Sequence, residues 1–142
     1  LFWVPDIFVC NGWQSALIPT IYKNEYEGIN EFYNDIKTVL VIHDLDEYSS
    51  ANKSDLLDFG INVPSNLKGK VLNMYDVASY TADAILIIDK PDAKISTKLL
   101  KKAAFKDNKN KLTIFEQKDI ENVDYTEVTM SLDKIITKLT SK

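Results

Sequence analysis

Four short apolar runs constrain this chain more than anything else in it. They are Ile7 to Cys10, Thr38 to Ile42, Ala84 to Ile88 and Leu112 to Phe115. Each is rich in β-branched residues and continuously apolar rather than alternating. That is the pattern of strands covered on both faces, as in a parallel sheet. Helical patterns separate the runs, so the order predicts repeated crossover units and an α/β fold.

The first helical face is Trp13, Ala16, Leu17, Ile21 and Tyr22, with Pro19 predicting a kink or a late start. A second helix is expected over Leu72 to Ala82. A third is expected to begin at Pro91, with Asp92 in its first turn and Lys98, Lys101 and Lys102 toward its end. The last runs from about Tyr125 to Leu139, with Asp124 and Glu127 spaced as a capping box. Its apolar stripe is Val128, Leu132, Ile135, Ile136 and Leu139. The stretch from Asp44 to Lys70 is polar and broken by Gly60, Pro64 and Gly69, and reads as a long functional loop. "KDNKNK" at 106–111 reads as a solvated turn.

A length of 142 residues suits one domain with a real core. All 17 basic residues are Lys and the net charge is −4. Without Arg, the usual clamp for phosphates and bases is missing, and nucleic acid is not an expected partner. No apolar run is long enough to cross a bilayer, so no membrane partner is expected either. The single Cys10 lies in an apolar run and cannot form an intramolecular disulfide, which fits a reducing, cytoplasmic setting. The first residue is Leu1 rather than Met, as expected of a fragment.

In open α/β sheets, ligands bind outside the carboxyl ends of the strands. The residues leaving those ends are Asn11-Gly12-Trp13, His43-Asp44, Asp89-Lys90 and Glu116-Gln117. His43 is the only histidine, placed where an apolar strand stops. It suits either hydrogen bonding and acid–base work on a ligand or a backbone-bonded capping role. Asn11 suits an N-cap, and Gly12 either a tight turn or a close approach to a neighbour. Trp13 either stacks on a sugar or packs its helix on the sheet. Asp44 and Asp46 either orient the imidazole or are exposed loop acids. The glycines are too scattered for a dinucleotide fingerprint or a P-loop. One His and one Cys on different strands are too few for a metal site. Cys10 reads as a small core residue.

With those residues in view, the sequence resembles the bacterial glycogen and plant starch synthases. "PDIFVCNGWQSALIP", "KTVLVIHDL" and "SYTADAILIIDKPDAKI" follow the order and approximate spacing of that family's segments, such as "PDVVHCHDWHTALIP" and "K.V.TIHNL". The match covers about residues 3–95. The resemblance implies a Rossmann-like parallel sheet of about four strands with helices on both faces, as in the amino-terminal half of a GT-B glycosyltransferase. It implies transfer of glucose from ADP-glucose to an α-1,4-glucan, with no cofactor beyond the nucleotide sugar. It carries the cleft histidine, the catalytic position, onto His43. The substrate-contacting set implied beside it is Asn11, Gly12, Trp13, Gln14 and Asp44. A second domain or subunit would complete the cleft.

The departures are specific. Gly12 stands where the family has Asp, Val9 where it has His, and Asp44 where it has Asn. Asp89 and Lys90 replace "SP". The closing strand and helix suit a chain that finishes here. An unrelated flavodoxin- or receiver-like domain is a third and weaker reading, since the acids do not converge as a receiver wants. Two readings within the family stay open at this point. One is a transferase domain inactive as a fragment. The other is a non-catalytic accessory domain that binds glucan or a protein partner.

Overall fold

In the computed structural model, residues 3–119, 121–122 and 125–141 are described. The elements are β1 (Ile7–Asn11), α1 (Ile18–Ile21), β2 (Lys37–Ile42), β3 (Ser50–Asn52), α2 (Lys53–Asp58), β4 (Val71–Asn73), α3 (Met74–Ser79), β5 (Ala84–Asp89), α4 (Ile95–Leu99), α5 (Ala103–Asp107), β6 (Leu112–Glu116) and α6 (Tyr125–Thr140). Four strands form one all-parallel sheet in the order β1-β2-β5-β6. The four apolar runs are its strands, each a residue longer than its apolar stretch.

Strand order follows chain order, so all three crossovers step the same way along the sheet. Right-handed connections of that kind fall on a single face. The packing agrees. Phe8, Cys10, Leu40, Ile42, Ile85 and Ile87 meet Tyr75 and Ala78 of α3, Ile95 and Leu99 of α4, and Ala104 and Phe105 of α5. The opposite face carries Ile7, Val39, Val41, Leu86, Ile88 and Phe115, and meets Leu132, Ile135 and Leu139 of α6. Helices therefore cover both faces of a Rossmann-like sheet, but unequally. At the β1 edge, Val9 remains 41% exposed.

Several local expectations are corrected. The late start expected from Pro19 is found, with α1 beginning at Ile18, but the single helical face is divided among three short turns. A 3-10 turn over Trp13–Ser15 precedes α1, and a wider π turn over Tyr22–Tyr26 follows it. Pro19 has no N–H to give and sits in the first turn of α1, where none is needed. Leu72 belongs to β4, which pairs with β3, and not to a helix. The Asn73 side chain accepts from Tyr75 N at 2.9 Å and starts α3 after it.

The third helix begins at Ile95, not Pro91, and divides into α4 and α5. The Asp89 carboxylate at the end of β5 accepts from Ile95 N at 2.6 Å, from Ser96 N at 3.2 Å and from Ser96 Oγ. It thus satisfies amides that a helix end otherwise leaves unpaired. The "KDNKNK" turn is only partly solvated. Asn108 is buried and donates to Ala104 O at 2.8 Å, and Lys111 Nζ reaches Ser79 O and Tyr80 O.

The Asp44–Lys70 excursion is structured. It holds β3, α2 and a satellite core of Leu56 and Ile61 with Leu72 and Val77. The last helix matches its expected span, and its Asp124 cap lies outside the described residues.

Cys10 is a core residue, 1% exposed, and burial pushes its thiol up to about 11. A thiolate is the reacting form, so at pH 8 roughly one thiol in a thousand would be ionised. We expect alkylation of Cys10 by iodoacetamide at pH 8 to be slow in the native chain. It should accelerate by at least about a hundredfold in denaturant. Equal rates would show that the thiol is not buried.

Candidate functional site

His43 follows β2 directly, and its side chain is partly exposed. Its Nδ1 lies 3.3 Å from Asp44 Oδ2, an ion pair when the imidazole is protonated. The other Asp44 oxygen, Oδ1, accepts from Tyr75 OH at 3.3 Å. Tyr75 is wholly buried on α3, and burial, reinforced by the Asp44 charge, raises its phenol. The phenol stays protonated and donates. A buried tyrosine thus anchors a carboxylate, and the carboxylate orients the imidazole from its Nδ1 side.

The Nε2 side faces Gly12. This residue continues the β1–β2 ladder by donating to Val41 O at 3.0 Å. It then turns the chain with φ 74 and ψ 177, a region essentially reserved for glycine. A Cβ there would lie 2.9 Å from Gln14 Oε1 and 3.2 Å from His43 Nε2. The missing side chain therefore makes room for two polar atoms, both at the position where a family Asp would begin.

Trp13 packs against the core beneath the crossover helices, with Tyr48 at 6.2 Å between ring centroids and 34° between planes. Tyr48 comes from the excursion, on a turn over Glu47–Ser49. Asp46 accepts from Tyr48 N at 2.9 Å, and Asn73 Nδ2 donates to Ser49 Oγ at 2.7 Å, which ties the turn to β4.

Asn11 and His43 line a cavity of about 390 Å³ between the strand ends and the start of α6. Lys90 and Gln117 share its polar rim, and Val41, Leu86 and Ile88 form an apolar floor.

Of the residues singled out in the sequence, His43 and Asp44 meet directly, and Gln14 and His43 both border the open Cβ position of Gly12. Asn11 joins His43 in the cavity, while Trp13 pairs with Tyr48. Asp46 caps its own turn, its carboxylate accepting from Tyr48 N rather than orienting the imidazole. Sequence reasoning missed Tyr75, Tyr48 and Tyr125. Tyr75 was hidden in an amphipathic pattern, and the other two lie far along the chain from the residues they approach. Among the described residues, no three His, Cys, Asp or Glu side chains gather as a metal would require, and no helix is long and apolar enough to cross a membrane.

Residues 1–94 match the starch synthase catalytic domain family. The glycogen synthase of Clostridium perfringens is 33% identical over 144 residues, covering 96% of this chain and 29% of that protein. The glycogen synthase of Clostridium acetobutylicum is 36% identical over 86 residues, covering 61% of this chain and 18% of that one. That of Chlorobium phaeobacteroides is 49% identical over 45 residues, 32% of this chain and 9% of the relative. The chain spans less than a third of the length of these curated relatives. It belongs to the starch synthase catalytic domain family.

Proposed function

We propose that this chain forms one wall of a glycosyl-transfer cleft that elongates α-1,4-glucan from ADP-glucose, with no cofactor besides the nucleotide sugar. The observation that carries the reading is the chain of contacts Tyr75–Asp44–His43 at a strand end, with Nε2 directed at the Gly12 turn. In this role His43 hydrogen-bonds the transferred sugar. Asn11 and Gln14 bond its hydroxyls, Gly12 allows the close approach, Trp13 supplies an apolar face, and Asp44 holds the imidazole in register. Transfer also requires a second wall, from another domain or subunit, to position donor and acceptor and to exclude water. The setting is cytoplasmic, consistent with a buried free thiol.

A second reading, an accessory domain that binds glucan without transferring glucose, draws on Gly12. The backbone there, at φ 74 and ψ 177, is strained for any residue that bears a side chain, and so disfavours the carboxylate found in the family. Assaying the full-length natural protein for transfer from ADP-glucose to glycogen separates the two.

Glycogen affinity of this chain tests the shared site. Removing a hydrogen bond to a sugar or a stacking face typically costs about 1 kcal/mol, so His43→Ala and Trp13→Ala should each weaken binding several-fold. Binding unchanged in both variants would remove the site from consideration.

A further inference from the structure

We propose that α6 closes the His43 cavity into a hexopyranose subsite, in which Lys90, Gln117 and Tyr125 contact a glucose unit. The inference rests on the glucan-binding reading above and adds three contacts to it.

The strand register builds the rim. Side chains alternate along a strand, and residues two apart share a face. On the α6 face, Val41 is followed by His43, Ile88 by Lys90 and Phe115 by Gln117. The parallel pairings set Asn11 beside Val41 and Ile88 beside Phe115. Each strand thus delivers one polar side chain just beyond its apolar row, all on one face. Gln117 is held there by its amide donating to Asp119 O.

A glucose ring presents apolar C–H faces and polar edges. The cavity matches it with an aliphatic floor and an amide, imidazole and ammonium rim. Its 390 Å³ falls within the usual range for small-molecule sites. All three crossovers lie on the other face, so among the described residues α6 alone supplies the outer wall here. Its stripe docks from Leu132 onward, but Tyr125, its first residue, is 74% exposed at the cavity mouth. An exposed aromatic ring beside polar groups is a stacking surface for a sugar face. A single lysine and no arginine make the cavity a poor diphosphate clamp, which favours a neutral sugar over a nucleotide.

His43 is the only histidine, so its imidazole C–H resonance reports directly on the cavity. We expect a linear α-1,4-linked glucose oligomer to shift that resonance. Tyr125→Ala should weaken the oligomer by up to about tenfold, and Tyr125→Phe should bind like the parent, because the ring rather than the hydroxyl stacks. Lys90→Met should weaken it several-fold. The thermal midpoint of Tyr125→Ala should match the parent, because the ring is exposed.

Normal affinity in Tyr125→Ala and Lys90→Met, with loss in His43→Ala and Trp13→Ala, would overturn the subsite and leave the cleft reading standing. No binding of the oligomer by the parent chain would overturn both. A His43 shift produced by AMP and not by the oligomer would assign the cavity to a nucleotide and overturn the proposal.

Discussion

A Gly12→Asp variant is expected to lose about 1–3 kcal/mol of stability and to move the His43 resonance. The cost comes from the backbone. At φ 74 and ψ 177, any residue with a Cβ is strained by an amount of that order. The new Cβ also begins 2.9 Å from Gln14 Oε1 and 3.2 Å from His43 Nε2. Gln14 can swing its amide away cheaply. His43 is tethered through Asp44 to buried Tyr75 and yields less readily.

Gly12→Ala separates the effects, since it carries the same backbone strain without the carboxylate. Both variants should shift the urea midpoint, and only Gly12→Asp should add a charge beside the imidazole. If Gly12→Asp melts like the parent and binds glucan equally well, Gly12 does not position His43. For this chain the missing family carboxylate is more than a lost group. The turn has adopted a conformation that side chains resist.

Ile135→Ala should be the more damaging change to the scaffold, at about 2–5 kcal/mol. Ile135 is the one buried residue of α6 and sits among Val39, Val41, Ala84 and Leu86. No other described helix covers that cluster, so little is available to collapse into the space. Denaturant melts should show the loss, and amide exchange should show α6 opening before the sheet. Met130→Ala, at a position 54% exposed on the same helix, is the control and should be near neutral. Equal effects at Ile135 and Met130 would mean that α6 does not anchor through this residue.

The strands were legible from their short, β-branched apolar runs, which burial on both faces explains for β2 and β5, while the edge strands β1 and β6 carry the same pattern with more exposure. The helices were less so. Their starts depend on tertiary capping that no local pattern contains, such as Asp89 reaching Ile95 six residues on. Pro91 looked like a helix start, but Lys94 turns left-handed at φ 48 and the helix waits for the Asp89 cap. The excursion looked like a loop because its small core borrows Leu72 and Val77 from beyond it.

At the site, position along the strands was readable and direction was not. Trp13 and His43 both follow strand ends, yet Trp13 packs on the crossover side while His43 lines the cavity under α6. Part of the resemblance has a purely architectural basis. Asp83, from the matching "AD", accepts from Thr38 N at 2.7 Å and from Thr38 Oγ1 at 3.1 Å, pinning the starts of β5 and β2 together.

The one-way strand order also has a consequence for how the sheet is covered. Each strand pairs with the one before it in the sheet, β2 with β1, β5 with β2 and β6 with β5, so the crossovers all step the same way. Every crossover helix covers the same side. Among the described residues only α6 covers the other side, so local opening of α6 exposes Val39, Val41 and Leu86 to water and to other chains. The helix that walls the cavity is thus also the one that shields this apolar face, so the exchange measurement on Ile135→Ala reads the loss of wall and of cover together.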